Sequence, residues 1–186
     1  MGNSKSPFDG QFLGIRVRDN WEFVTRTNAT SVVVLVPVTD QDELVLVEQY
    51  RIPVQSRVIE LPAGLVGDLD NPEESIPGAA RRELEEETGF TAGRLTPLLY
   101  CPSTPGLSDE MITFLLAEDL VRTGPGGGDE SEDIEVHLVP LASVSDWLAQ
   151  MMGQGKQVDP KTYAALYWLE RRKSGLEPLP RSTPSR

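Results

Sequence analysis

Apolar residues in the first half of the chain follow patterns that predict β-strands. Alternating or continuous apolar runs indicate strands at about 12–17, 21–25, 31–38 and 43–49, and a shorter strand near 58–61. The polar stretch 39–42 is typical of a turn, so we expect the strands on either side of it to pair as a hairpin. Further strands are predicted at about 95–100, 111–116 and 135–139.

Three segments have the periodicity of helices. The first runs from Ser75 or Pro77 to Thr88, and Gly89 stands where a left-handed C-terminal cap is usual. Pro77 and Gly78 are poor residues for a first turn, so we expect this helix to begin late or to bend there. Two more helices are predicted at about 143–152 and 160–173. Strands interspersed with helices indicate a mixed α+β domain.

The chain has 186 residues, of which 39% are hydrophobic, as expected for one globular domain with a real core. We divide it into N-terminal strands (1–30), a main domain (31–173) and a Pro/Ser-rich tail (174–186). The segment 122–133 contains Gly-Pro-Gly-Gly-Gly and, like the tail, is predicted to be mobile. The N-terminus lacks the apolar run of a secretion signal, and no segment is apolar enough to span a membrane, so a cytoplasmic location is expected.

Charge and the rarest residues narrow the class of function. Seventeen Lys and Arg against 29 Asp and Glu give a net charge of −12, which argues against a nucleic acid or an anionic membrane as the main partner. The single cysteine, Cys101, excludes a disulfide within the chain. The single histidine, His137, excludes the usual Cys/His zinc sites, and we expect it to be packed rather than catalytic. A metal would therefore be bound by oxygen atoms.

The acidic run 82–89, Arg-Glu-Leu-Glu-Glu-Glu-Thr-Gly, carries the clearest chemical signal. On a helix Glu83 and Glu87 share a face, and Glu86 borders it. Like charges near a helix C-terminus are unfavourable without a compensating cation. Arg82 can pair with Glu86, which leaves Glu83 and Glu87 as hard oxygen ligands for Mg²⁺ or Mn²⁺. The alternative is a solvated acidic surface, the usual meaning of a charge run.

The same run resembles the Nudix box, in which a glycine and a glutamate precede an Arg-Glu-apolar-x-Glu-Glu-x-Gly-apolar helix end. Residues 82–90 fit every specified position, and seven residues separate Glu74 from Arg82, as the box requires. Gly64 follows a Pro-Ala pair, as in ADP-ribose pyrophosphatase-like members. One departure is that nine residues separate Gly64 from Glu74, four more than in the box.

The resemblance implies a Nudix fold, a mixed β-sheet in an α/β/α sandwich, with additional N-terminal antiparallel strands that serve in a homodimer. It implies that Mg²⁺ or Mn²⁺ is held by the carbonyl of Ala63 and by Glu83 and Glu87, with Glu86 as a catalytic residue beside them. A glutamate in a mobile loop after the box would be the general base, and both Glu132 and Glu130 are candidates.

The resemblance also implies where a substrate binds. Trp21 and Arg51 lie in segments that resemble those holding the adenine and the phosphate end of ADP-ribose, and Arg26 is a weaker candidate for the same pocket. For Trp21, packing in the core or a dimer contact is an equal alternative. The segment 104–110 resembles a loop that borders the terminal ribose, although a plain turn is the alternative; its candidates are Gly106, Ser108 and Glu110.

The implied function is metal-dependent hydrolysis of the pyrophosphate bond of ADP-ribose to AMP and ribose 5-phosphate. The first alternative keeps this chemistry but changes the substrate to a nucleotide sugar such as GDP-mannose, UDP-glucose or ADP-glucose. The second alternative is a Nudix-like module that binds a nucleotide without cleaving it. The intact set of Glu83, Glu86 and Glu87 argues against that alternative, because a binder has no need of a full metal face.

Overall fold

The computed structural model describes residues 5–67, 71–128 and 132–176. Within these residues the chain forms eleven strands and three α-helices. In chain order they are β1 (Lys5–Asp9), β2 (Leu13–Arg18), β3 (Trp21–Arg26), β4 (Ser31–Pro37), β5 (Glu43–Arg51), β6 (Ser56–Glu60), β7 (Ala63–Val66), α1 (Ile76–Thr88), β8 (Phe90–Pro102), β9 (Met111–Arg122), β10 (Glu135–Pro140), α2 (Val144–Gly153), β11 (Gln157–Val158) and α3 (Pro160–Lys173).

The strands form three sheets. The N-terminal sheet is an antiparallel meander in the order β1-β2-β3. A second sheet has the order β7-β4-β9-β8, in which β4 and β9 are parallel. The third has the order β10-β5-β6-β11, in which β6 and β11 are parallel. The expected single mixed sheet is therefore divided into two mixed sheets of four strands each.

The alternation of β4 explains the layers. Val32, Val34 and Val36 face a core cluster that includes residues of β5, β6, α2 and α3, whereas Val33 and Leu35 face a cluster that includes α1. The helices thus lie on both sides of β4, as predicted for an α/β/α sandwich. This arrangement places α1 against β7 and β4, and so determines which surroundings the carboxylates of α1 face.

The predicted hairpin between the strands at 31–38 and 43–49 is wrong. The turn itself is present, with the N–H of Thr39 donating to the carbonyl of Glu43 at 2.9 Å and one bridge between Val38 and Leu44. Beyond it β4 pairs with β7 and β9, and β5 pairs with β6 and β10. The two strands separate because each is buried on both faces and finds its partners in a different sheet.

Other differences concern extent. The segment after Pro62, where no strand was predicted, begins with strand β7, because Ala63–Val66 pairs with β4. β8 and β9 are much longer than predicted and pair along most of their length. β1 and β11 were not predicted. The N-terminal sheet is attached to the main domain through β3, where the N–H of Val24 donates to the carbonyl of Leu107 at 2.8 Å. No described helix has the length and apolarity needed to cross a membrane.

Candidate active site

Local sequence fixes both ends of α1. Ser75 is the N-cap, and its hydroxyl accepts from the N–H of Gly78 at 3.2 Å. Pro77 lies in the first turn, where its missing N–H is not needed, so the helix begins at Ile76 without delay. Gly89 has φ 73° and its N–H donates to the carbonyl of Glu85, as predicted for a left-handed cap.

Two carboxylates of α1 are turned inward. The side chain of Glu87 is buried, with only 4% of its residue surface exposed, and its Oε2 accepts from the N–H of Ala63 at 3.1 Å. Glu83 lies against Gly64, where an added Cβ would come within 1.8 Å of the Glu83 carboxyl carbon. Only glycine leaves room for Glu83 at this point. Glu86, in contrast, is about half exposed.

Arg82 neutralises part of this acidic face. Its guanidinium donates to Glu74 at 3.0 Å, to Glu83 at 2.9 Å and to Glu86 at 3.1 Å. The predicted Arg82–Glu86 pair is confirmed, but the expectation that Glu83 would remain unpaired is wrong, because the planar fork of arginine reaches several carboxylates at once. The hydrogen bonds with Glu74, and the nearby Glu83, raise the pKa of Arg82 further above its already high value.

Glu83 and Glu87 still lack sufficient positive charge. Burial raises the pKa of Glu83 to about 7 despite the opposing effect of Arg82, and raises that of Glu87 to about 8 despite the hydrogen bond from Ala63. The charges of Glu86 and Glu132 add to the shift of Glu83. The charges of Glu83 and Glu132 add to the shift of Glu87, which Arg51 partly opposes. Buried, repelling carboxylates with hard oxygen donors fit a divalent cation, which would supply the missing charge.

The C-terminal end of α1 is capped by the glycine-rich segment. The N–H groups of Gly127 and Gly128 donate to the carbonyls of Glu87 and Glu86 at 2.9 and 3.0 Å. Gly126, Gly127 and Gly128 all have positive φ, which explains why glycines are needed here. These donors satisfy carbonyls that the helix leaves unpaired. The described part of the predicted mobile segment is therefore hydrogen-bonded to α1.

Glu132 follows this cap. A Cβ added at Gly128 would come within 2.3 Å of a carboxylate oxygen of Glu132, so the two residues are in close contact. The residue is exposed at the protein surface but also lines the cavity beside α1. Glu130, the other candidate base, lies outside the described residues.

A cavity of about 630 Å³ opens in front of these carboxylates. It brings together eight of the predicted site residues, drawn from β3, β5, β7, α1 and two loops: Arg26, Arg51, Ala63, Glu83, Glu86, Glu87, Glu110 and Glu132. Three predicted residues do not line it. Trp21 and Ser108 border a separate depression of about 280 Å³, and Gly106 lines neither.

The arginines of the cavity are held by carboxylates. Nη2 of Arg51 donates to Glu60 at 2.6 Å, and Nε of Arg26 donates to Glu110 at 2.5 Å. Each cation is thus oriented within the site, while Arg51 remains about half exposed to the cavity and solvent. The carboxylate of Glu110 is paired with Arg26 and so orients that guanidinium.

Several cavity residues were missed by sequence reasoning. Glu60 ends β6 directly before the Leu-Pro-Ala-Gly segment, and this position was its only sequence signal. Lys161 and Asp159 line the cavity from the start of α3, where Asp159 is the N-cap and forms an ion pair with Lys161. No motif marks either residue, because the start of α3 reaches the cavity only through the fold.

A second group of acidic and imidazole ligands lies elsewhere. Atoms of Glu48, Glu135 and His137 come within 4.8 Å of one another. Glu48 already accepts from Lys156 at 2.6 Å and from Arg57 at 2.7 Å, and His137 lies 3.0 Å from it and packs on Trp147. The positive charges of Arg57 and Lys156 would repel a metal ion bound here. The carboxylates of α1 are therefore the better candidates for a metal site. His137 is packed, as expected.

Comparison with known proteins shows which family the chain is similar to. A family model described as NUDIX domain matches residues 28–165. The chain is 36% identical over 140 residues to an ADP-ribose pyrophosphatase of Bacillus subtilis (strain 168), and the match covers 74% of this chain and 71% of the relative. It is 33% identical over 162 residues to a GDP-mannose pyrophosphatase of Escherichia coli (strain K12), with 83% and 79% covered. A crystal structure of an ADP compounds hydrolase superposes with a TM-score of 0.71 at 25% identity, covering 93% of this chain and 92% of the other.

Proposed function

Because the chain belongs to the NUDIX domain family, we propose that it hydrolyses the pyrophosphate bond of ADP-ribose to give AMP and ribose 5-phosphate. It is a Nudix pyrophosphatase that acts on nucleoside diphosphate derivatives. The choice of ADP-ribose is supported by the similarity to the Bacillus subtilis enzyme and to the ADP compounds hydrolase.

One observation carries the proposal: the buried carboxylate of Glu87 and the partly buried one of Glu83 line the same cavity as Arg26, Arg51 and Lys161. A pyrophosphate carries several negative charges, which cationic groups stabilise. The arginines and the lysine in the lining of the cavity provide part of this positive charge. A divalent cation at the α1 carboxylates would provide the rest.

The enzyme depends on a divalent metal, and we propose Mg²⁺, with Mn²⁺ as a substitute. Glu83, Glu87 and the carbonyl of Ala63 would hold it, with Glu86 at the exposed border of the site. When bound, the ion would neutralise phosphate oxygens and withdraw charge from the leaving phosphate. Oxygen-only ligands of this kind suit Mg²⁺ and Mn²⁺ better than softer metals.

Glu132 is the general base in this proposal, with Glu130 as the alternative. Its carboxylate would accept a proton from a water molecule as the water oxygen attacks phosphorus. A new P–O bond forms to that oxygen, while the bond from phosphorus to the bridging oxygen breaks. The electron pair of the broken bond leaves with the second phosphate. Arg51 and Arg26 would orient the phosphates for this in-line displacement.

Trp21, Gly106 and Ser108 are proposed to contact the nucleoside or ribose ends of the substrate. Trp21 is 62% exposed, and an exposed indole ring can stack on a base. It lies in the smaller depression rather than in the main cavity. A substrate that occupies both would extend from the α1 carboxylates past Glu110 towards β3.

We propose a homodimer that forms through the N-terminal sheet. Four large apolar side chains in or beside this sheet are exposed and belong to neither core cluster: Phe8, Phe12, Leu13 and Ile15. Exposed apolar patches of this kind are typical of interfaces. A cytosolic location is also proposed, because the chain has one cysteine and its fold uses no internal disulfide.

A second candidate function is a nucleotide-sugar pyrophosphatase. The similarity to the GDP-mannose pyrophosphatase of Escherichia coli favours it, and that relative is matched over a larger share of the chain. The chemistry at α1 would be the same. The difference would lie in which base and which sugar the residues at the two ends of the substrate contact.

The test is release of AMP or another nucleoside monophosphate from a panel of ADP-ribose, ADP-glucose, GDP-mannose and UDP-glucose. Each reaction is run with Mg²⁺, with Mn²⁺ and with EDTA. We expect metal-dependent cleavage with the highest kcat/KM for ADP-ribose. A nucleotide sugar as best substrate would favour the second candidate, and binding of ADP-ribose without cleavage of any compound would indicate a sensor.

Replacement of the exposed indole tests the substrate pocket. We expect Trp21→Ala to raise KM for ADP-ribose by about fivefold, the low end for loss of one base-stacking contact, with kcat little changed. Tyr167→Ala, which removes an exposed ring on α3, is the matched control. An unaltered KM in Trp21→Ala would return this residue to packing or to a subunit contact.

A further inference from the structure

Arg57 connects two parts of the molecule that the proposed reaction does not otherwise relate. Its Nε donates to Oε1 of Glu48 at 2.7 Å, and its Nη1 donates to Oδ2 of Asp133 at 2.8 Å. Arginine can do this because its planar guanidinium has donors on different edges. A lysine at the same position has a single ammonium group and would contact one partner well.

The inner end of this connection is fixed. Glu48 is 1% exposed and lies on β5 in the interior. It also accepts from Lys156 at 2.6 Å, and His137 lies 3.0 Å away. With three partners around its buried carboxylate, Glu48 has little freedom to move. Its hydrogen bond to Arg57 therefore restrains the Arg57 guanidinium as well.

The outer end of the connection is different. The side chain of Asp133 is 84% exposed, and ion pairs at such sites contribute little to stability. The Arg57–Asp133 ion pair therefore matters mainly because it restrains where residue 133 lies. Asp133 directly follows Glu132, which lines the cavity together with Glu83 and Glu87.

Glu132 has a second fixed point on its other side. The N–H of Gly128 donates to the carbonyl of Glu86 at 3.0 Å, and Gly128 is in close contact with Glu132. One contact thus ties the chain to α1 and the other ties it to the interior through Arg57. Together they place the Glu132 carboxylate near the inward-facing carboxylates of α1.

We propose that Arg57 is a positioning residue for Glu132, which it holds beside Glu83 and Glu87 through Asp133. The proposal rests on the function proposed above, in which Glu132 is the general base. The competing explanation is that Arg57 only neutralises buried Glu48. The two differ in what happens when the contact to Asp133 is lost and the contact to Glu48 is kept.

Two variants separate these explanations. Asp133→Ala removes the side-chain contact at an exposed residue, keeps only the longer hydrogen bond of 3.5 Å from Nη2 of Arg57 to the backbone carbonyl of residue 133, and leaves Glu48 with all its partners. Arg57→Lys keeps a cation for Glu48 but cannot span both carboxylates. Asp9→Ala is the matched control, since Asp9 is also an exposed aspartate paired with an arginine, Arg16, but lies on β1.

The first measurement does not depend on activity. Hydrogen–deuterium exchange is followed at the amides of residues 132–135 in the metal-free full chain. We expect exchange at least fivefold faster in Asp133→Ala and in Arg57→Lys, with melting temperatures close to that of the unmodified protein. Asp9→Ala should leave exchange in this segment unchanged. Unchanged exchange in both test variants would overturn the proposal.

The second measurement is steady-state kinetics with the best substrate of the panel. We expect kcat to fall about tenfold in both variants while KM changes less than twofold, because substrate contacts are retained and the base is misplaced. The double variant should be no slower than either single variant, since both break one connection. Faster exchange with unchanged kcat would overturn the proposal.

Glu132→Gln distinguishes the two levels of failure. If Glu132→Gln loses activity by a hundredfold or more while Asp133→Ala and Arg57→Lys keep full kcat, only the positioning role has failed. If Glu132→Gln also keeps full kcat, the assignment of the general base has failed, and the positioning role fails with it.

Discussion

Glu48 and Glu87 are both buried glutamates, yet their surroundings give them opposite properties. Burial acts to raise the pKa of Glu48, but hydrogen bonds from Lys156, Arg57 and His137 lower it below its usual value. Burial raises the pKa of Glu87 to about 8, and the single amide of Ala63 does not compensate. The same residue type is thus neutralised by the protein in one place and left with excess negative charge in the other.

This difference shows how a structural carboxylate is told from a metal-binding one. Close spacing of ligand atoms is not sufficient, because the group around Glu48 satisfies it and already holds two cations. The α1 group has one main cation, Arg82, for four carboxylates if Glu74 is included. A site that lacks positive charge in the folded protein is the one that an external cation stabilises.

Removal of a metal ligand should have the largest effect. We expect Glu83→Gln or Glu87→Gln to lower kcat by roughly a thousandfold, since a metal contributes several kcal/mol of transition-state stabilisation. The metal-free variants should melt no lower than the unmodified protein, because a repelling charge has been removed. Turnover measured at saturating Mg²⁺ checks this, and unchanged turnover would contradict the assignment of α1 as the metal site.

The corresponding change at the other glutamate should mainly lower stability, and any fall in kcat should not exceed the roughly tenfold loss expected for Arg57→Lys. Glu48→Gln leaves Arg57 and Lys156 without their buried anion, and we expect a loss of about 3 kcal/mol in the free energy of unfolding, the low end for a broken buried pair because both cations reach solvent. Urea denaturation measures it. The Mg²⁺ concentration for half-maximal activity should not change. A change would contradict the view that Glu48 takes no part in metal binding.

Gly64→Ala tests whether the position of Glu83 matters. The added methyl group would overlap the Glu83 carboxyl, which lies at the end of a flexible side chain and can move aside. We therefore expect a fall in kcat of about tenfold or more with a small change in melting temperature. Gly153→Ala, at the end of α2, is the matched control, because no atom lies within 4 Å of a Cβ added there. Full activity of Gly64→Ala would show that Glu83 tolerates displacement.

The pH dependence of stability should separate the two glutamates most finely. In the metal-free protein Glu83 and Glu87 have pKa values of about 7 and 8, whereas an unfolded chain titrates near 4.5. Between these values the folded state binds more protons, so stability should fall as pH rises from about 4.5 to 8, and Mg²⁺ should restore it. Glu48, with its lowered pKa, should lose its contribution on the acid side instead.

Thermal melting between about pH 2 and pH 9, with and without Mg²⁺, checks this prediction. Glu87→Gln should flatten the decline on the alkaline side, and Glu48→Gln should flatten the decline on the acid side. A metal-free profile that does not fall between pH 5 and pH 8 would contradict the charge deficit at α1.

Helix α1 shows how much the sequence could predict. Its C-terminal end, the left-handed cap at Gly89 and the shared face of Glu83 and Glu87 follow from local spacing, and the structure agrees. The expected late start or bend at Pro77 is wrong, because the helix begins at Ile76 behind a Ser75 N-cap. The pairing of β4 with β5 was predicted wrongly from an equally clear turn. A turn fixes only the nearest bridge, while strand pairing is decided by partners far along the chain.

The site shows the same division. Eight of the predicted residues meet in one cavity because the Nudix box and its neighbouring segments carry their chemistry in local motifs. Trp21 and Ser108 were placed in the site by resemblance and lie in a separate depression. Lys161 and Glu60 were missed because no motif surrounds them.

The family, helix α1 and the carboxylates that share one of its faces follow from the amino-acid sequence alone, because helix periodicity, the Gly89 cap and the Nudix box are local properties. Which of these carboxylates lack a cation depends on the folded chain. Folding brings Gly64 against Glu83, the amide of Ala63 to Glu87, and Arg57 between Glu48 and Asp133. The strength of a charge depends on burial and on neighbours from distant segments, and these exist only in the folded chain.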